Sequence, residues 1–199
     1  MSRYSNRRSS LLLILTIVVL ATASFLGCSK SSGSNAVHVK SALSGEKDLA
    51  IKSAYAFPVT KTFTDVNGKI TTASAYNVYL ANYDLDAKNF GMTLDKPLMS
   101  DDQARVTFSL IGDEGTNDKS PPKAGTYSAK ADKYTKAESA GIVARKGGPE
   151  VKSWLDRSML TGEVKVTSAS PDEISGDVNL NSGEMSIKGS FTAKVLKRK

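Results

Sequence analysis

The sequence predicts an all-β domain, an antiparallel β-sandwich or up-and-down barrel of roughly nine to ten strands with a C-terminal meander. Three observations predict it. Glu184–Leu196 places Met185, Ile187, Gly189, Phe191, Ala193 and Val195 on one parity and Ser186, Lys188, Ser190, Thr192 and Lys194 on the other. Such a period of two marks a strand with one face buried and one wet. Turn residues recur between runs of this kind, as sandwiches and barrels require. Asn67-Gly68, set between two such runs, is a strong hairpin signal.

Taken from the N-terminus, the chain opens on Arg3, Arg7 and Arg8, then the uncharged apolar run Leu11–Leu20, then the small and polar Ala21–Ser24. This is the layout of a secretory signal peptide. Leu11–Leu26 is 16 residues. As a helix it spans about 24 Å, short of the ~30 Å hydrocarbon core. A cleaved signal is therefore expected rather than a membrane span.

Phe25-Leu26-Gly27-Cys28 follows. It resembles the lipobox of bacterial lipoprotein precursors, with Gly27 and Cys28 at the two strictest positions. The resemblance covers residues 1–28 and implies a thioether from Cys28 to diacylglycerol, cleavage just before Cys28, and acylation of the new amino group. Cys28 is the only cysteine. An odd thiol in an exported chain has nothing to pair with, and lipidation removes that anomaly. One acyl chain holds a protein marginally and two hold it stably. Ser29 after the cysteine implies outer-membrane placement, since an aspartate there tends to retain such proteins in the inner membrane.

The expected organisation is thus residues 1–27 as signal, 28–36 as lipidated cysteine and tether, and 37–199 as one β-rich domain. Removing 27 residues from 199 leaves 172, which suits one domain with a real core. The signal's three arginines account for three of the +7 formal charges, leaving +4. The basic balance is partly an export signal. With no basic patch interleaved with aromatics, no nucleic-acid partner is expected. Ser29–Asn35 carries no apolar residue and reads as a short flexible tether.

Within the domain, Leu49–Phe57 alternates Leu49, Ile51, Tyr55 and Phe57 with Ala50, Lys52 and Ala54. Asn67-Gly68 joins Lys61–Val66 to Ile70–Ala81, where Ile70, Tyr76, Val78 and Leu80 share a face. Val106, Phe108 and Leu110 mark another strand, and Thr126–Ser128 a short one. Ile142–Ala144 and Val151–Leu155 flank the turn Lys146-Gly147-Gly148-Pro149. Val164 and Val166 define Thr161–Ser168, and Ile174, Val178 and Leu180 define Glu173–Asn181. Ser170-Pro171-Asp172 and Asn181-Ser182-Gly183 turn these into the final strand. Two segments depart from the pattern. Asn82–Asp102 is long and acidic, and the Ala- and Lys-rich Ala129–Ser139 suggests a short helix.

Candidate chemistry is sparse. His38 is the only histidine, so any Ser-His-Asp, Cys-His or His-metal site must use it. Its place beside the tether favours a solvated strand-edge residue. Asp84-Leu85-Asp86 and Gly112–Asp118 (GDEGTND) are oxygen-rich, as calcium wants. Lys88 puts a cation where a third ligand of the first stretch belongs, and solvated polar loops are the expectation. Trp154 with Tyr76, Tyr79 and Tyr83 offers aromatic faces for a sugar or an apolar ligand, although strand aromatics are more often core or cross-strand pairs. Tyr76 and Tyr79 lie on opposite parities, so one of them points outward. Lys194, Lys197, Arg198 and Lys199 end the chain in positive charge, a frayed terminus or a contact for anionic head groups.

The expected function is a non-enzymatic envelope module, lipid-anchored through Cys28, with no cofactor or metal and an unidentified partner. A lipocalin-like carrier of a small apolar ligand is the alternative, and a carboxylate-based hydrolase follows it. The shape of the core separates them. A hollow ring suits the carrier, a cleft with facing acids the hydrolase, and a filled core the interaction module.

Overall fold

The computed structural model describes residues 35–197. Eleven strands follow in order: β1 (Ala36–Ser41), β2 (Gly45–Ala50), β3 (Ser53–Thr64), β4 (Ile70–Ala81), β5 (Ala104–Glu114), β6 (Gly125–Ser128), β7 (Lys136–Arg145), β8 (Glu150–Trp154), β9 (Thr161–Ala169), β10 (Glu173–Ser182) and β11 (Met185–Val195). One short helix, α1 (Phe90–Asp95), lies between β4 and β5. No helix among the described residues is long and apolar enough to cross a membrane.

All eleven strands belong to one mixed sheet that closes on itself as an uneven ring, in the order β10-β9-β6-β7-β5-β4-β3-β11 and back to β10. Most pairings are antiparallel. Two narrow parallel seams complete the circuit, Ser128 with Lys136 between β6 and β7, and Lys194–Val195 with Tyr55–Ala56 between β11 and β3. The seams leave part of each long strand's edge free, and short strands occupy it. β8 pairs with Gly141–Arg145 of β7, and β1 pairs with Ser186–Ser190 of β11. Buried Ser41 and Ser153 join β1 to β8 by a hydroxyl–hydroxyl bond of 2.9 Å. Exposed backbone edges are thereby reduced.

Inward residues of every strand except β8 meet in one apolar cluster that includes Val78, Leu80, Val106, Phe108, Ile142, Val164, Leu180, Ile187 and Phe191. The C-terminal meander follows its alternation closely. Ile187, Phe191 and Ala193 are buried, and Met185 and Val195 pack against the cluster. The unit Gly33–Lys199 therefore carries its own core.

The β3–β4 hairpin turns at the expected place but through three residues, Val66 to Gly68. Gly68 takes φ +78° and Asp65 bonds the amides of Asn67 and Lys69. The left-handed residue that ends such a loop favours glycine.

Three expectations are corrected. Leu49–Phe57 is not one strand; the chain bends at Ile51–Lys52, after which Ala56 and Pro58 point inward and Tyr55 and Phe57 outward. Ile70 does not share the inner face, being 66% exposed near the hairpin tip. Ala129–Ser139 forms no helix. Lys136–Ser139 belongs to β7, where the register shift opposite Ser109 and Leu110 sets the inward Ala137 and Ala140 three residues apart. That bulge erases the period of two, and small alanines fit beside Phe108, which is paired with Ala140. Ala36–Ser41 is a strand, with Val37 and Val39 buried and His38 outward between them.

Candidate functional site

β5 sends Ala104, Val106, Phe108 and Leu110 into the core, so Arg105, Thr107 and Ser109 point outward. Register aligns outward rows across the sheet. One row runs Tyr55, Tyr79, Thr107, Gly141 and Trp154 across β3, β4, β5, β7 and β8. The adjacent row runs Ser53, Ala81, Arg105, Val143 and Lys152.

The connection between β4 and β5 folds back over this face. Asn82 ties its ends, accepting from the Ala104 amide at 2.8 Å and donating to the Asp102 carbonyl at 2.6 Å. The Leu85 amide donates to Ser53 Oγ at 3.0 Å. Phe90 of α1 packs on Tyr79, Tyr55 and Phe57, with ring centroids 5.0, 5.7 and 6.3 Å apart. Further along, the Leu98 carbonyl accepts from Arg145 at 3.1 Å and its amide donates to Glu150 at 3.2 Å. Leu85 and Leu98 are buried, so the connection acts as a strap pinned over β3 and β4 on one side and β7 and β8 on the other.

Arg105 lies beneath it, 6% exposed. Its Nη1 donates to the Tyr83 hydroxyl at 3.0 Å, and its buried Nε–H has no acceptor. No carboxylate pairs with it among the described residues. Burial raises the Tyr83 phenol above its ordinary value, and the opposing pull of Arg105 is smaller. Burial raises Tyr79 in the same way. Both stay neutral phenols near pH 7 and give Arg105 dipoles rather than a counter-charge. A buried cation without a partner is costly. Thr107 Oγ1 is the other buried side-chain polar atom without a partner among the described residues, two residues away on the same face.

A cleft of about 350 Å³ opens beside this point, lined by Lys52, Tyr83, Asp84, Lys96, Met99 and Gln103 among others. Among the described residues the Lys52 and Lys96 ammonium groups make no hydrogen bond or ion pair, and the Tyr83 hydroxyl proton has no protein acceptor. Gln103, another lining residue, uses its carbonyl on the Met99 amide, and its NH₂ group makes no hydrogen bond among the described residues. Two ammonium groups, a phenol and an amide thus offer donors beside Asp84, which also lines the cleft, and Asp102, whose pKa the nearby Lys52 charge helps to lower. Such a set recognises anions.

Other residues singled out from sequence fall elsewhere. Cys28 and its lipobox lie outside the described residues, as do Arg198 and Lys199. His38 sits mid-strand on β1, with Nδ1 2.7 Å from Asp48 and Nε2 2.9 Å from Glu46 across the β1–β2 hairpin. Asp86 caps its own turn, accepting from the Lys88 amide and the Asn89 side chain; the latter bond is the main cause of its lowered pKa. In Gly112–Asp118, whose first three residues end β5, Asp113 pairs with Lys123 at 2.8 Å, which holds its carboxyl below the usual range, and Asp118 accepts from Thr60. Those carboxylates serve turns and pairs, and no metal-holding group occurs among the described residues.

The aromatics divide. Tyr76 points inward and bonds the Ser120 carbonyl; burial pushes its phenol up to about 12. Tyr79 points outward under Phe90. Trp154, 61% exposed, lies on Gly141 in the same cross-strand row as Tyr79. Lys197 pairs with Asp172 at 2.7 Å. Sequence reading singled out Tyr83 and Asp84 but missed Arg105, Thr107, Lys52 and Lys96. Alternation along β5 puts Arg105 on the wet face, and only the strap's course buries it. No local pattern carried that information.

Comparison with protein families, curated proteins and solved structures finds no match.

Proposed function

We propose that the chain is an exported protein held at the bacterial outer membrane by lipid on Cys28, and that its β domain is a non-enzymatic module binding an anionic ligand in the strap cleft. The observation that carries the binding reading is Arg105, buried without a carboxylate and bonded to the phenol that lines the cleft. Its field polarises Tyr83 toward donating its free proton, and Lys52 and Lys96 add charge at the mouth. An anion there compensates a cation that the fold leaves unpaired. Contact of Phe108 with Phe191 inside the ring supports a site on the outer face rather than a carrier cavity within.

The test is thermal unfolding of the unlipidated chain from Ser29 onward, in millimolar inorganic phosphate against chloride at matched ionic strength. A ligand that binds only the folded state raises the midpoint with concentration. The increment should vanish in Lys52→Ala/Lys96→Ala, whose side chains are exposed. An equal increment in both proteins would be general salt stabilisation and would overturn the binding reading.

A further inference from the structure

We infer that the anion this cleft takes is the phosphate of an anionic phospholipid, so that the strap end of the domain rests on the membrane surface; this builds on the anion-site reading above. The position of the tether is the first ground. Asn35 is fixed to the domain, its carbonyl accepting from the Ile51 amide at 2.8 Å and its side chain from the Thr192 amide at 2.7 Å. Ile51 is followed directly by Lys52, which lines the cleft. Six residues, Ser29–Ser34, separate Cys28 from Asn35. Even fully extended, the seven residue steps from Cys28 to Asn35 reach no more than about 25 Å. An acylated Cys28 therefore holds Asn35, and the start of the domain with it, within that reach of the head groups.

The second ground is the character of the rim. Met99, 78% exposed, lines the cleft, and Met92 is exposed on α1 beside Thr93, another lining residue. Free phosphate needs the donors and has no use for exposed thioethers. A lipid surface uses both. Lysines with apolar stems hold their charge at head-group level while neighbouring apolar side chains enter the acyl boundary. Anionic lipid also attracts basic groups within a Debye length, and among the described residues neither Lys52 nor Lys96 makes an ion pair, although Lys52 feels the charge of Asp102.

The experiment is flotation of the unlipidated chain from Ser29 onward with vesicles of phosphatidylglycerol in phosphatidylcholine, and with phosphatidylcholine alone. Association with the anionic vesicles is expected, weakened at least tenfold in Lys52→Glu/Lys96→Glu. Met92→Ser/Met99→Ser should weaken vesicle binding while leaving the thermal increment from inorganic phosphate intact. Equal binding to both vesicles, or equal binding by the lysine variant, overturns the inference. If phosphate shifts the melting midpoint and vesicles are not bound, the cleft remains an anion site and the lipid assignment falls. If neither occurs, the anion site falls with it.

Discussion

Phe108 and Phe191 meet edge to face inside the ring, with centroids 5.2 Å apart and planes at 73°. The contact joins β5 to the final strand across the core, and both rings are about 2% exposed. Aromatic pairs of this geometry add to the gain from burial. Phe191→Ala should therefore cost about 3–5 kcal/mol through lost transfer energy and a residual cavity. Its neighbour Thr192 is half-buried and shares a hydroxyl bond of 3.0 Å with Ser175. Thr192→Ala should stay within about 1 kcal/mol. Chemical denaturation of the two variants checks the register, and greater damage from Thr192→Ala would place the inner face on the wrong parity.

Gly141 carries the indole of Trp154. A methyl group added at Gly141 would come within 2.6 Å of the ring carbon Cε3 and 2.8 Å of Cζ3. Such contacts cannot persist, and the exposed indole is the part free to move. Gly141→Ala should displace Trp154 into solvent with little loss of stability, since alanine also restricts the unfolded chain. Trp154 is the only tryptophan, so fluorescence reports it alone. A red-shifted emission and stronger quenching by iodide are expected; an unchanged spectrum would show that the indole does not rest on Gly141.

Which parts of the fold the sequence disclosed follows from how many faces are covered. The last three strands have one buried and one wet face, so Ile187, Phe191 and Lys188 declare their sides by chemistry alone. In β3 the outer face is covered as well, by Phe90, so Tyr55 and Phe57 look like inward residues and Ala56 like an outward one. In β7 the bulge sets Ala137 and Ala140 three apart, and alanine's helix propensity then governs the local reading. The cleft was less legible still. Lys52 and Lys96 are ordinary surface lysines until the strap brings them to one opening, and its path is fixed by long-range bonds such as Leu98 to Glu150.

The anchor admits a direct test. Cys28 is the only cysteine. Two or more acyl chains on it would hold the chain stably, each buried CH₂ contributing about 0.8 kcal/mol. Full-length protein expressed in a bacterial host should enter the detergent phase on cloud-point partitioning, and Cys28→Ser should remain aqueous. Equal entry of both proteins into detergent would remove the lipid anchor from the proposed function while leaving the cleft untouched.

His38 gives the stability a pH dependence with a definite sign. Its ring lies between Asp48 and Glu46, and its pKa is raised above 6.5: the Asp48 hydrogen bond is the largest cause, burial opposes it next, and the charges of both acids add to the rise. A group whose folded pKa is raised binds its proton more tightly in the folded state. Its contribution is therefore fully present below the unfolded value, about 6.5, and fades as pH rises through the folded value. His38→Gln should lower the urea midpoint at pH 5.5 and have a smaller effect at pH 8.5. The pairs are exposed, so added salt should shrink the difference at pH 5.5 by screening. A deficit of the same size at both pH values would mean that the ring acts through its neutral hydrogen bonds or its packing on β1, and not through its charge.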